Sequence, residues 1–109
     1  MTYQVALHRR AEEDLASTAT WISRQSPEGA AHWLDAYDRL VDELRQNPLA
    51  HGLAPEDEFI QRTIRQAFFK TRRGKAYRII FTIEGDEIRI LRVRGPGQAI
   101  VPPDELGIG

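Results

Sequence analysis

The chain contains no cysteine and no apolar run approaching the roughly 20 residues needed to span a bilayer. The first absence excludes disulfides and thiolate metal sites and suits a reducing compartment. The second argues against a membrane-spanning helix. Met1–Leu7 meets charge at Arg9, Arg10 and Glu12 before an apolar secretory core can form, so a soluble cytoplasmic protein is expected. Histidine is scarce too. His8, His32 and His51 form no i,i+4 pair, and no acidic cluster accompanies one with ligand-like spacing, so no metal site is expected. Ser17, Ser23 and Ser26 fall in or at the ends of expected helices, not on a strained nucleophile turn. Gly95-Pro96-Gly97 closes a strand without opening a helix, and Arg73-Gly74-Lys75 lacks the rest of a phosphate loop. Turn chemistry explains both, and no cofactor is expected.

Charge is abundant and unevenly placed. Residues 59–98 hold ten Lys/Arg and three acidic residues, whereas the first 58 hold five and eleven, so the net −1 conceals a dipolar molecule. Crowded cations repel one another, and a fold tolerates them more easily when a polyanion or acidic partner neutralises them. A merely solvated basic face is the competing reading, and charge alone leaves both open. Arg72, Arg73, Lys75, Arg78, Arg89, Arg92 and Arg94 are the residues to be explained.

One domain over residues 1–109 is expected, large enough to bury roughly 60–70% of its unfolded surface. Thr2–Leu7 reads as a short strand and about His8–Arg24 as a helix, with Ala11, Leu15, Ala19 and Ile22 at helical spacing. Ser26-Pro27 supplies an N-cap hydroxyl and an N1 proline for a second helix, which Asn47-Pro48 ends after Gln46. Its apolar stripe is Ala30, Trp33, Leu34, Tyr37, Leu40, Val41 and Leu44. So short a break makes an antiparallel helical hairpin, with Trp21 and Trp33 expected in its seam or at the seam's edge. Leu49–Glu58 reads as a loop. A meander follows over about Thr63–Thr71, Ala76–Ile83 and Glu87–Arg94, turning at Gly74, for which a positive φ is expected, and at Gly85-Asp86, which suits a type II′ hairpin. Alternation puts Tyr77, Ile79, Phe81 and Ile83 toward the helices. If Leu91 and Val93 join them, Arg78, Arg92 and Arg94 converge on the outer face beside Ile80 and Ile90. Phe68 and Phe69 must point opposite ways. Residues 99–109 form a tail whose Ile100, Val101, Leu106 and Ile108 are candidates to dock back onto the sheet.

The residues with chemical potential are therefore arginines without an evident base. Cations can stabilise a pentavalent phosphorane during RNA cleavage, provided another group takes the 2′-hydroxyl proton. Glu84, Asp86 and Glu87 lie at a hairpin tip and Glu56–Glu58 in a loop, neither placed as a general base.

The order strand, helical hairpin, three-stranded meander, with Ala-Tyr-Arg-Ile-Ile-Phe at 76–81, a Gly-Asp turn and Ile-Arg-Ile-Leu-Arg-Val-Arg at 88–94, resembles the RelE/ParE toxin superfamily. Arg10-Ala11-Glu12-Glu13-Asp14-Leu15 is similar to that family's start of helix one, and the resemblance covers residues 3–98. It implies an α+β fold: an N-terminal strand and an antiparallel helical hairpin packed on an antiparallel sheet with a C-terminal meander. It also implies the toxin of a type II toxin–antitoxin system, in which a cognate antitoxin lays an acidic segment over the basic sheet and the helical hairpin. Lys70, Arg72, Arg73, Lys75, Arg78, Arg92 and Arg94 are the candidate partner or nucleic-acid contacts. Arg78 matches the central-strand arginine of the RelE-like ribosome-dependent mRNA endonucleases and is the best catalytic candidate if the chain is one. Their later arginine falls on Gly95-Pro96-Gly97-Gln98, and their C-terminal tyrosine or histidine has no counterpart. ParE-like members, which poison DNA gyrase, do not need that set, and the chain looks more like them, although Pro-Gly-Gln departs from their commoner basic endings. A binding module that keeps the fold without toxicity is the remaining alternative.

Overall fold

Helix α1 spans Arg9–Gln25 and α2 spans Pro27–Gln46 in the computed structural model, which describes residues 2–59 and 63–106. His8 caps α1, its Nδ1 accepting from the Arg10 N–H at 3.1 Å. Ser26 serves both helices. Its N–H donates to the Ile22 carbonyl at 2.8 Å, while its Oγ accepts from the Gly29 N–H at 3.0 Å. One extended residue thus satisfies orphan groups at two helix ends, and Pro27 at N1 loses no bond. The helical hairpin follows from that single break.

Four strands form one sheet: β1 (Gln4–Leu7), β2 (Arg65–Phe69), β3 (Tyr77–Glu84) and β4 (Glu87–Arg94), in the order β1-β4-β3-β2. The meander is antiparallel as expected. β1 adds parallel to β4, from Gln4 opposite Glu87 to Leu7 opposite Ile90, so the sheet is mixed. Glu84 faces Glu87 across the two-residue Gly85-Asp86 turn, where Gly85 takes φ +62° and Asp86 does not go positive. Gly74 departs from expectation. Its φ is not positive; a side chain there would instead run into the Thr71 hydroxyl. The segment expected as a loop carries 3₁₀ turns at Pro48–Ala50 and Pro55–Phe59, and Leu53 bridges Arg65 at the rim of β2.

The main core lies between sheet and helices. Trp33, Tyr37, Leu40, Val41 and Leu44 of α2 meet Ala67, Phe69, Ile79, Phe81, Ile88, Ile90 and Val93 of the sheet, with Ala11 of α1. Phe69, Trp33 and Tyr77 pack ring against ring, with Trp33 centroids 5.4 and 5.2 Å from the other two. Burial, with Asp38 adding to it, pushes the Tyr37 hydroxyl up to about 12, which removes it as a base near neutral pH. Leu34, expected in the stripe, is exposed, as is Trp21.

The expectation for β4 needs a correction. Ile80 pairs with Arg92 and Phe81 with Ile90, so Leu91 is the extra residue of a β-bulge. One inserted residue reverses the alternation. Ile88 and Ile90 face the helices before the bulge and Val93 after it, while Leu91 turns outward. There Leu91 joins Ala54, Ile64, Ile80, Val101 and Leu106 in a second apolar cluster. The C-terminal segment docks on the outer sheet face through Val101 and Leu106, whereas Ile100 stays exposed. Ile108 and Arg62 lie outside the described residues.

Leu91→Ala should therefore cost about 2–4 kcal/mol and raise amide exchange and proteolytic nicking between Gly95 and Leu106. Loss of stability with unchanged protection of that segment would return Leu91 to the helix-facing core.

Candidate partner-binding site

The bulge decides where the sheet arginines go. Arg78 stands opposite Arg94, and Ile80 opposite Arg92, so the three arginines do share the outer face. They do not form an open cationic patch. Arg78 donates through both terminal nitrogens to Glu56, at 2.8 and 2.6 Å, and Nη1 lies 3.4 Å from Gln66 Oε1. The Glu56 side chain is 0% exposed and that of Arg78 is 14% exposed. The second Glu56 oxygen also accepts from the Val101 N–H at 2.9 Å. Burial by itself raises this carboxyl, but hydrogen bonds from Arg78 and Val101, together with the Arg78 charge, outweigh it and hold the group below the ordinary glutamate value.

Arg92 is held at the edge of β4 beyond the end of β1. Its Nε and Nη2 donate to Asp14 of α1 at 2.7 and 3.0 Å, and Nη1 lies 3.4 Å from Glu105. Asp14 accepts from the Val93 N–H as well, at 3.0 Å, which satisfies a strand-edge donor that β1 is too short to reach. The Asp14 bond above all raises the Arg92 guanidinium; burial opposes this and Glu105 adds to it. Arg94 donates to the Ala99 carbonyl at 2.9 Å. Arg89 is paired at the surface with Glu87 and Glu84, at 2.7 and 3.2 Å. The charge expected to await an external counter-ion is, for Arg78 and Arg92, neutralised within the chain.

The other candidates sit elsewhere. Lys70, Arg72, Arg73 and Lys75 are exposed on the β2–β3 connection, and among the described residues they have no ion-pair partner. Beside them a groove of about 670 Å³ opens between the hairpin, this connection and the chain leaving β4. Trp21, Ile22, Trp33, Tyr77, Pro96 and Lys75 line it, and no acidic side chain does among the described residues. Trp21 is 56% exposed in its wall. A recess of about 540 Å³ sharing Gly29 and Thr71 continues it past His32, Glu28, Arg72 and Arg73. Phe68 lies on the outer face opposite Arg78, exposed, while Phe69 enters the core.

Sequence reasoning missed Glu56 and Asp14. Glu56 has no local pattern beyond a proline before it, and Asp14 is one of three consecutive acids, Glu12-Glu13-Asp14, in the first half of α1. Three backbone or side-chain donors meet at each only after folding. The histidines stay apart. His8 is a cap, and His51 stands 3.5 Å from Glu43 with its ring edge-on to Phe81. Among the described residues no group of His, Asp and Glu is placed to hold a metal, and no helix is long and apolar enough to cross a membrane.

Because Glu56 is held low in the fold, its contribution to stability is complete above the ordinary value of about 4.3 and is lost as pH falls through the lower folded value. Glu56→Gln should flatten the acid limb of a stability–pH curve. Glu56→Ala, which strands a buried guanidinium, should cost about 3–5 kcal/mol. Denaturant titrations from neutral to acid pH check both, and superimposable acid limbs for wild type and Glu56→Gln would assign the acid sensitivity to another group.

Comparison with known proteins places this geometry. The family described as the ParE toxin of the type II toxin-antitoxin system, parDE, matches residues 5–99. No curated protein matches. Among solved structures, the chromosomal ParDE toxin–antitoxin system from P. aeruginosa is similar, with TM-score 0.62 at 22% identity over 86% of this chain and 96% of that one. The RelBE2 toxin–antitoxin complex from Mycobacterium tuberculosis is more distant, with TM-score 0.48 at 25% identity over 87% of this chain and 99% of that one. Since the family match runs through β1, the hairpin, the meander and the first residues of the covering tail, the chain belongs to the ParE toxin family of type II toxin–antitoxin systems.

Proposed function

We propose that this protein is a growth-inhibiting cytoplasmic toxin that acts on DNA gyrase, is neutralised by a cognate antitoxin, and does not cleave mRNA. The observation that carries the distinction is the Arg78–Glu56 pair. Arg78 is the one residue matching the RelE-like catalytic set, and both of its terminal nitrogens are committed to a buried carboxylate beneath the C-terminal segment. A transition-state cation must present its donors to the reacting phosphate. Here they point into the protein. Among the described residues no proton carrier is paired with Arg78 other than Glu56, which is an ionised ion-pair partner, and the histidines belong to other parts of the fold. Losing a positioned acid–base group commonly costs 10²–10⁴-fold. Inhibiting a protein target needs only a complementary surface.

The test adds purified protein to gyrase with supercoiled DNA, and separately to translating ribosomes with a reporter mRNA. Lost supercoiling or accumulated double-strand breaks, with intact mRNA, is the expected result, along with growth arrest in cells that antitoxin co-expression relieves. Codon-phased cuts in the mRNA would overturn the mechanism, and harmless expression at high soluble levels would overturn the toxin role.

A further inference from the structure

One end of the molecule is basic. Arg72, Arg73 and Lys75 stand on the β2–β3 connection, with Lys70 just past the end of β2. Thr71 of that connection shares a recess with Ser26, Glu28 and Gly29 at the break of the helical hairpin, so Arg24, on the last turn of α1, belongs to the same end. All five cations are exposed, and among the described residues none has an ion-pair partner. We propose that this end contacts DNA phosphates once the protein is bound to gyrase, so that it holds the gyrase–DNA complex more tightly than gyrase alone. This rests on the gyrase reading above and adds the nucleic acid as a second partner.

The opposite end carries the other sign. β3 runs eight residues from Tyr77, beside this connection, to Glu84, which is roughly 25 Å at about 3.3 Å per residue. There the Gly85-Asp86 turn gathers Glu84, Asp86 and Glu87. The end of α2 lies at that end too, because the Arg45 carbonyl accepts from the Tyr3 N–H and the Asp86 carbonyl from the Gln4 N–H, each at 2.9 Å. Screening at physiological salt acts over about 8 Å, so the distant acids do little to offset the basic end. The net charge of −1 hides this separation. A polyanion at the basic end meets five cations and, in the hollows beside them, one acid, Glu28.

The chemistry of the connection favours phosphate over an acidic protein surface. Residues 70–75 are Lys, Thr, Arg, Arg, Gly and Lys, turned by a bond from the Gly74 N–H to the Thr71 carbonyl at 3.2 Å. None is apolar, whereas the centre of a protein interface is depleted in charge and built on aromatic and apolar anchors. Phosphate oxygens need only charged and polar donors. So few contacts give weak, salt-sensitive binding to free DNA. When the protein already sits on an enzyme that holds DNA, the same contacts become intramolecular and act at high effective concentration.

The experiment measures binding of the labelled full chain to gyrase, to a linear DNA duplex, and to gyrase holding that duplex, over a range of KCl concentrations. Binding to gyrase–DNA is expected to be about tenfold or more tighter than to gyrase alone, and the duplex alone should bind weakly, with Kd about 10⁻⁴–10⁻⁶ M. Arg72→Gln combined with Arg73→Gln should narrow the first difference and lower the slope of log affinity against log salt for gyrase–DNA by about 2; Lys75→Gln should lower it by about 1. Arg45→Gln, an exposed cation at the acidic end, should change neither. The substituted residues are all exposed, and circular dichroism checks the fold. Equal affinity for gyrase with and without DNA would overturn the proposal. So would a slope that falls equally without DNA, which would assign the cations to an acidic protein surface. No binding to gyrase in either form would overturn the gyrase reading and this inference with it, so the two failures are distinct.

Discussion

A buried carboxylate ties together three stretches of chain that are distant in sequence. Glu56, in a short 3₁₀ turn before the meander, accepts both guanidinium arms of Arg78 in the central β3 and the N–H of Val101 in the segment after β4. Taking a carboxylate and a guanidinium out of water costs several kcal/mol each, and only good geometry with every lone pair used offsets that. Here the geometry is bidentate and the remaining acceptor capacity meets a backbone donor. The apolar cluster of Ala54, Ile64, Ile80, Leu91, Val101 and Leu106 surrounds the same region, so burying it and pairing the charge depend on one another. Remove the pairing and the outer face has reason to open.

Charge is thereby sorted into two populations. Arg78 and Arg92 are structural cations, each facing an acid contributed by a different part of the chain, Glu56 and Asp14. The acids that make the first half of the sequence negative are in part the partners of the bases that make the second half positive. Four cations without an ion-pair partner among the described residues, Lys70, Arg72, Arg73 and Lys75, stand together on the β2–β3 connection beside an aromatic groove. The outer sheet face is thus closed by the chain's own acids and C-terminal segment, whereas the β2–β3 connection keeps its charge exposed.

Much of the architecture was legible in local chemistry. Ser26-Pro27 marked the hairpin break, Asn47-Pro48 the end of α2, and Gly85-Asp86 the tight turn, because each depends on caps and φ preferences that a few neighbouring residues decide. The faces of β3 followed from strict alternation. Alternation failed in β4 because Ile90-Leu91-Arg92-Val93 is apolar on both sides of the bulge, and no neighbouring residue advertises an inserted position. The candidate site was harder still. Arginines were visible as charge, but whether each is free or paired depends on Glu56 and Asp14, which lie 22 and 78 residues away from their partners. Trp21 and Trp33 looked alike in sequence, and only the packing of Phe69 and Tyr77 buries one while leaving the other in the groove wall.

The division between structural and available cations can be read directly from the arginine side chains by nitrogen-detected NMR. The Nη protons of Arg78 and the Nε–H of Arg92 should exchange slowly with solvent near neutral pH, with slow rotation of the terminal groups, because Glu56 holds both Nη groups of Arg78 and Asp14 holds Nε and Nη2 of Arg92. Those of Arg72 and Arg73 should exchange as fast as free arginine. Uniformly fast exchange at all four would contradict internal neutralisation and return the outer sheet face to the pool of open cationic surface.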